Sequence, residues 1–289
     1  MIPNAAIPGS GPSVGFVGLG SQGGPMVRRL LAAGALVTVW ARRRGAAAAF
    51  EAAGAEVAAD LGELGRRCEM VGVCVTDDEG VREVVQGLLG AMAPGSSIAV
   101  HSTVHPRTIT SVAALAAERG IEVLDAPVSG GGGAAAAANL LLLAGGSAAL
   151  VERWKPLLGA FASKVVPTGP AGSAQVAKVI NNALMSAQFL LADDAAELGA
   201  ALGLDPDVLL GAIGHGSGGS FALGIRRGLG SAAALGPLGG ALLHKDVGIL
   251  ASVLDGAGVD GRRLLADAEA LFEVMPVAPS SPGGAGTPT

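Results

Sequence analysis

One stretch near the start of the chain constrains the fold more than any other. Residues 14–44 read VGFVGLGSQGGPMVRRLLAAGALVTVWARRR. Val14 to Val17 is a short apolar run of the kind a buried strand shows, Met26 to Ala33 carries a helix pattern stopped by Gly34, and Leu36 to Trp40 reads as a second strand. Between the first strand and the helix stand Gly18, Gly20 and Gly23, spaced G-x-G-x-x-G. The spacing alone says little in a chain with 47 glycines. Set between strand and helix, it predicts a dinucleotide-binding turn. Gly18 permits the tight turn, Gly20 lets backbone approach a pyrophosphate, and Gly23 lets helix and strand pack closely. The N–H groups at the helix start then face the phosphates.

The chain has 289 residues, half of them hydrophobic, enough for one large or two medium domains with a sizeable core. A net charge of −5 without a basic stripe argues against nucleic acid as a partner. Tyrosine is absent, which removes it as a proton donor. The start MIPNAAIPGSGPS lacks the basic and apolar regions of a signal peptide, and no uninterrupted apolar run of about twenty residues suggests a membrane span. Cys68 and Cys74 are the only cysteines. Cys74 lies in the apolar run VGVCV, no further ligands suit a metal, and reduced cysteines in a cytoplasmic protein are expected.

Along the chain, strand patterns at 56–58, 70–75, 97–100, 121–124, 140–144 and 164–167 alternate with helix patterns at 45–53, 61–67, 80–89, 106–119 and 151–161. Such alternation predicts a mostly parallel sheet covered on both faces. After Gly172 the period changes. Ser173 to Ala201 reads as one long helix, about 40 Å in length and apolar over much of its circumference, as a central buried helix would be. Downstream segments at 206–213, 242–254 and 261–272 also read as helical. The expected architecture is therefore an α/β domain of the dinucleotide-binding, or Rossmann, type over residues 1–171, followed by an all-α domain over 172–289. Residues 1–13 are expected to be a flexible lead-in, and the Pro/Gly/Ser/Thr-rich segment 276–289 a disordered tail.

Few groups in this pattern can do chemistry. Lys178 stands among Val176, Ala177, Val179 and Ile180, with Asn181 and Asn182 three and four residues on and Gln175 one turn back. A polar stripe on an apolar helix meets water, a partner or a ligand. Its ordinary reading is a surface lysine with solvated asparagines. Its sharper reading is a lysine at a domain interface, its pKa lowered by desolvation, that carries a proton. Asp125 to Gly131 follows a strand end, where open parallel sheets bind ligands, and Ser129, Gly130 and Gly131 offer a hydroxyl and two N–H groups to an anion. An ordinary glycine-rich loop would read the same way. Ser102 and Thr103 occupy a similar position, or else cap the helix that starts at Pro106. His101, His105, His215 and His244 lack metal-ligand spacing, and each reads as a cap, surface or core residue. Asp193 and Asp194 are adjacent and make a poor acid–base pair, and Lys245-Asp246 is a single charged pair on a helix.

Four stretches together resemble the 3-hydroxyisobutyrate dehydrogenase family of β-hydroxyacid dehydrogenases, cousins of the 6-phosphogluconate dehydrogenases and imine reductases. They are VGFVGLGSQGGPMVRRL, HSTVHP, DAPVSGG and GPAGSAQVAKVINN, with a weaker fifth, HKDVGIL, at 244–250. The resemblance spans about residues 14–275, and DAPVSGG followed by the lysine helix is its most specific part. It implies that Gly18, Gly20 and Gly23, with Leu19 and Ser21 of the same turn, hold the pyrophosphate. It puts Val75 and Thr76 beside the cofactor and Thr103 near its nicotinamide side, and has Lys245 reach it from the helical domain. Ser129, Gly130 and Gly131 would grip the substrate carboxylate, Lys178 would be the catalytic lysine, and Asn182, with Asn181, would orient substrate. The chain departs from the family in having Ala134, Ala138 and Ala174 where glycine is common. It also has His101 where an acid is frequent and Thr76-Asp77 where Leu-Pro is frequent.

The implied activity is reversible hydride transfer between a nicotinamide cofactor and the β-carbon of a small 3-hydroxy acid or its semialdehyde. The implied site lies between the two domains, and the assembly would be a dimer or tetramer formed through the helical domain. An imine or semialdehyde reductase and a non-catalytic nucleotide-binding scaffold are the alternatives. Imine reductases generally replace the lysine, and scaffolds would be expected to lose it. For the cofactor, NADP(H) is expected over NAD(H), which remains usable. The residues after the second strand are Ala41, Arg42, Arg43 and Arg44, with no acid in reach for a ribose 2′-OH, and Arg42 supported by Arg43 could clamp a 2′-phosphate.

Overall fold

The computed structural model describes residues 12–275. The expectations for residues 1–11 and 276–289 lie outside it, and Ser13, expected in the lead-in, is instead the first residue of a strand. The chain divides into two compact units, Met1–Lys178 and Val179–Thr289.

The first unit is built on one sheet whose strands are β1 (Ser13–Val17), β2 (Leu36–Trp40), β3 (Glu56–Val57), β4 (Met70–Val73), β5 (Ser97–Val100), β6 (Glu122–Asp125), β7 (Val128–Ser129), β8 (Leu140–Gly145) and β9 (Ala162–Gly169). The order β3-β2-β1-β4-β5-β6 is parallel throughout and is the dinucleotide-binding order. β8 then pairs antiparallel with β6 and β7 and parallel with β9, so the sheet is mostly rather than wholly parallel.

Helices α1 (Gly23–Ala32), α2 (Ala48–Glu51), α3 (Leu61–Arg67), α4 (Asp78–Leu89), α5 (Pro106–Ala117), α6 (Gly131–Ala136) and α7 (Ala148–Leu158) belong to this unit. Two apolar clusters form its core. One gathers Phe16, Met26, Leu30, Leu142, Trp154 and Phe161, and the other Val71, Leu64, Val85, Leu88, Ile98 and Ile109. The single helix expected over 45–53 is instead a 3₁₀ turn, Arg44–Ala46, and the short α2. Gly45 weakens a helix, and neither piece has a side-chain cap. β7 and α6 were not anticipated. α6 takes in three glycines and the first three alanines of the run at 134–138.

The long helix α8 (Ser173–Ala201) has the bounds its sequence pattern predicts. The division between the units falls inside it, because its first turn is bonded to the strand-end residue Asp125 of the sheet. In the second unit α8 is followed by α9 (Pro206–His215), α10 (Phe221–Leu229), α11 (Ala241–Ala257) and α12 (Arg262–Val274). Phe189, Ala222, Leu243 and Leu271 form one cluster there, and Val179, Ala183, Val247, Leu250 and Ala268 another. Asp193 of α8 is buried against Arg226 of α10, whereas Asp194 is exposed. One side of α8 is not covered: Ile180, Leu184, Leu191 and Leu198 are exposed. The expectation of a central buried helix therefore holds on one side only. Among the described residues no helix is long and apolar enough to cross a membrane.

Candidate active site

The turn after β1 shows why each glycine stands where it does. Gly18 has φ +94°, and a Cβ there would lie 2.0 Å from the Cys74 carbonyl oxygen. A Cβ on Gly23 would lie 2.0 Å from the Gly18 carbonyl oxygen, so strand and helix meet as closely as backbone allows. At Gly20 a Cβ would meet no atom within 4 Å. Packing does not demand glycine at that position, whereas a group brought against the backbone from outside does. No side chain caps α1, and its first turn holds no acid, so that turn is fitted to an anion. The residues present thus fit a dinucleotide pyrophosphate. Leu19 is half-buried, and Gly20 and Ser21 are exposed.

The loop after β7 lies against this turn. A Cβ on Gly132 would sit 2.3 Å from the Ser21 carbonyl oxygen. Ser129 is half-buried, and Gly130 and Gly131 are exposed, with φ +127° and +73°. At the far end of α6, Ala138 has φ +53°. There the Asn139 N–H donates to the Ala134 carbonyl at 2.8 Å and the Ala138 N–H to the Ala135 carbonyl at 3.1 Å. This is the Schellman arrangement with alanine in the usual glycine position. Ala134 and Ala174 lie inside α6 and α8 and face no such demand.

At the ends of β4, β5 and β6 a buried network ties the loops to the start of α8. Asp125 is fully buried. Its Oδ2 accepts the N–H groups of Gly172, Ala174 and Gln175 at 2.9, 3.0 and 3.2 Å, and its Oδ1 accepts Gln175 Nε2–H at 2.8 Å. Burial pushes the Asp125 carboxyl up to about 6, while these donors pull the other way. Gln175 Nε2–H also donates to the Ser102 carbonyl at 3.1 Å, and Gln175 Oε1 accepts the Val104 N–H at 3.0 Å. Ser102 Oγ in turn accepts the N–H of half-buried Val75 at 2.8 Å. Thr103 is half-buried between the two residues that Gln175 holds.

Ser102 and Thr103 do not cap α5. His105 does, its Nδ1 accepting the Arg107 N–H at 3.0 Å. Asp77 caps α4 through the Gly80 N–H at 2.8 Å, which gives that departure from the family pattern a local purpose, and Thr76 beside it is exposed. His101 is buried, stacked on Phe16 at 5.9 Å, with Nδ1 2.9 Å from the Ala126 carbonyl. Burial lowers its pKa to about 4 against that hydrogen bond, so it is a neutral core residue. Burial likewise pushes the Cys68 and Cys74 thiols up to about 11 and about 12.

Lys178 follows on the same face of α8 and is only 7 % exposed, which sets aside the surface-lysine reading. Asn182, one turn further on, is 6 % exposed, and its Nδ2–H donates to Asp246 Oδ2 at 2.6 Å. Asn181 does not share that environment. It is exposed and donates to Asn182 Oδ1 at 3.1 Å. On α11, Lys245 Nζ pairs with Asp246 Oδ1 at 2.7 Å, so the buried Asp246 joins Lys245 to Asn182. Sequence reasoning passed over Asp246 as half of an uninformative charged pair. Its signal was the apolar run that follows it, Val247 to Leu250.

The end of β2 opens on a hollow of about 220 Å³ lined by Trp40, Ala41, Arg42, Arg44, Ala47, Val57, Ala58 and Ala59. Of the two arginines expected there, Arg42 lines it, but its second arginine is Arg44. Arg43 is exposed and precedes the 3₁₀ turn. The expectation that no acid is in reach needs correction. Glu83 of α4 pairs with Arg42 Nη2 at 2.7 Å, because the strand preceding α4 lies two places from β2 in the sheet. Both side chains are well exposed, so this pair contributes about 0–1 kcal/mol and exchanges readily.

Residues 13–169 match the family profile described as the NAD binding domain of 6-phosphogluconate dehydrogenase. Residues 172–279 match the one described as NAD-binding of NADP-dependent 3-hydroxyisobutyrate dehydrogenase. The chain is 36 % identical over 213 residues to an NAD-dependent L-serine dehydrogenase of Pseudomonas aeruginosa, covering 73 % of this chain and 72 % of that one. To a 3-hydroxyisobutyrate dehydrogenase of the same organism it is 34 % identical over 215 residues, covering 73 % and 72 %. A Mycobacterium tuberculosis 3-hydroxyisobutyrate dehydrogenase solved with L-serine superposes with a TM-score of 0.81 at 28 % identity, over 91 % of this chain and 93 % of that one.

Proposed function

Because the chain belongs to the 3-hydroxyisobutyrate dehydrogenase family of β-hydroxyacid dehydrogenases and is an oxidoreductase with a nicotinamide cofactor, we propose that it interconverts a small 3-hydroxy acid and its semialdehyde, with Lys178 as the proton carrier. The observation that supports this most is the buried polar stripe Gln175, Lys178 and Asn182 on α8, whose first turn is bonded to the loops at the strand ends. A lysine kept inside such a stripe has a reason to be there that a solvated one lacks.

In this reading Gly18 to Gly23 and the start of α1 hold the pyrophosphate, and Thr103 borders the nicotinamide side. The bound nicotinamide supplies the hydride acceptor or donor. Ser129, Gly130 and Gly131 bind the substrate carboxylate, and Asn182 orients the substrate hydroxyl. In oxidation Lys178 Nζ takes the hydroxyl proton as the β-carbon loses a hydride. In reduction Nζ returns a proton to the developing alkoxide. L-Serine and 3-hydroxyisobutyrate, named for the relatives above, share a carboxylate and a β-hydroxyl and differ at the α-carbon. They are the first substrates to try. Arg42 and Arg44 at the β2 hollow support NADP(H) over NAD(H), since arginine's planar donors match a phosphate and the Glu83 pair is weak enough to yield. The exposed stripe on α8 supports a homo-oligomer.

The test is steady-state turnover of L-serine and 3-hydroxyisobutyrate with NADP⁺ and with NAD⁺, in the native chain and in Lys178→Ala. The native chain is expected to oxidise at least one acid, more efficiently with NADP⁺. Lys178→Ala should lose about 100-fold or more in turnover while binding cofactor nearly as before. Near-normal turnover in a folded Lys178→Ala chain removes the lysine from the mechanism. Equal or better efficiency with NAD⁺ removes the cofactor preference.

A further inference from the structure

Three features of the buried network point beyond the residues already given roles. The first is that Gln175 has every polar group committed. Both Nε2 hydrogens are donated, to the Ser102 carbonyl and to Asp125 Oδ1, and Oε1 accepts the Val104 N–H, with the side chain fully buried. A flipped amide would set donor against donor at Val104 and acceptor against acceptor at Ser102 and Asp125, so the side chain has one orientation. The second is that the two loop contacts straddle Thr103, fixing the peptide groups on either side of it. The third is that Asp125, which orients the Gln175 amide, also takes the N–H groups of Gly172, Ala174 and Gln175. The start of α8 is thereby fixed along its axis by Asp125 and about its axis by Gln175. Lys178 follows three residues later on the same face.

We infer that Gln175 is a positioning residue that holds Lys178 in register with the loop carrying Thr103. The inference rests on the reading of Lys178 as proton carrier. Without the amide, α8 keeps its hydrophobic contacts but loses the contact that sets its rotation against that loop. The lysine then meets the substrate hydroxyl in more than one geometry. A displacement of about 1 Å at such a contact costs up to about 100-fold in rate. A residue that merely filled space would cost the same whether or not the lysine were present.

A double-mutant cycle separates the two. Gln175→Met keeps the side-chain volume and removes all three hydrogen bonds. It is made in the native chain and in Lys178→Ala, and turnover is followed with whichever of L-serine and 3-hydroxyisobutyrate the native chain oxidises faster. The expected result is a loss of roughly tenfold or more in kcat in the native background, with little change in KM, and less than about twofold in the Lys178→Ala background. Independently of turnover, the Val104 amide should exchange its hydrogen at least about tenfold faster in Gln175→Met, while NADP⁺ affinity by calorimetry stays within about threefold. Should Gln175→Met not fold, Gln175→Asn, with the amide one methylene short, carries the same cycle. Equal losses in both backgrounds, no loss in the native background, or unchanged exchange at Val104 each overturn the inference. If Lys178→Ala alone turns over normally, the lysine reading fails and takes this inference with it. If Lys178→Ala is impaired and Gln175→Met is not, only the inference about Gln175 fails.

Discussion

His101 occupies a position where a charged residue would be expected and behaves as an apolar one. Its neutral ring lies between Phe16 and Phe161, with Nδ1 against the Ala126 carbonyl, and its pKa is depressed to about 4. The unfolded chain takes up this proton near pH 6.5 and the folded chain only near pH 4, so the stabilisation is complete above pH 6.5 and is lost as pH falls through that window. Asp125 works in the opposite sense. Its folded pKa of about 6 exceeds the ordinary 3.8, so the folded chain gains relative stability as pH falls between those values. A single variant isolates the histidine. Urea unfolding of the native chain and of His101→Phe at pH 7.5 and pH 4.5 should show the native chain's advantage shrinking by about 2–3 kcal/mol at the lower pH. An unchanged difference would mean that His101 is charged in the folded state.

Ala138 closes α6 in backbone that suits glycine. A left-handed alanine costs about 1–2 kcal/mol, against roughly 0.5–1 kcal/mol of extra freedom that glycine brings to the unfolded chain. Ala138→Gly should therefore stabilise the protein by about 0.5–1 kcal/mol in thermal or urea unfolding, and a loss of stability would show that the helix end is held by something other than its backbone. This helix also marks where the sequence stopped being legible. β1, β2, β5, α3 and α8 stand where their patterns predict because apolar period, caps and breakers agree in each. The run GGGGAAAAA carries no period and no polar punctuation, so the pattern gave no reason to separate α6 from loop. Within the candidate site, Lys178 and the glycine turn could be read because each is an exception to its surroundings. The partnership of Asp125 with Gln175, the contact of Glu83 with Arg42 and that of Asp246 with Asn182 all join residues at least 41 positions apart. Only the strand order and helix packing bring them together.

Along α8 the exposed residues Ile180, Leu184, Leu191 and Leu198 recur at intervals of four and seven and fall within about 40° of one another around the helix. An apolar stripe running most of the length of a 29-residue helix is more than isolated surface leucines explain. A second copy of the same helix would present a stripe of equal length, and a two-fold pairing would cover both. Sedimentation should find the native chain as a dimer or higher oligomer. Leu191→Glu combined with Leu198→Glu should shift it to monomer, and a native chain that sediments as a monomer at micromolar concentration would refute the pairing. The hollow at the end of β2 has a consequence for observing this protein at all. The chain has no tyrosine and two tryptophans. Trp154 is sealed in the core with its indole N–H on Ser97 Oγ at 3.0 Å, whereas Trp40 stands half-buried in the wall of that hollow beside Arg42 and Arg44. Ultraviolet emission from the native chain therefore combines one constant source with one in the wall of the hollow proposed above for the cofactor, so on that proposal cofactor binding should change the second source and leave the first as it is.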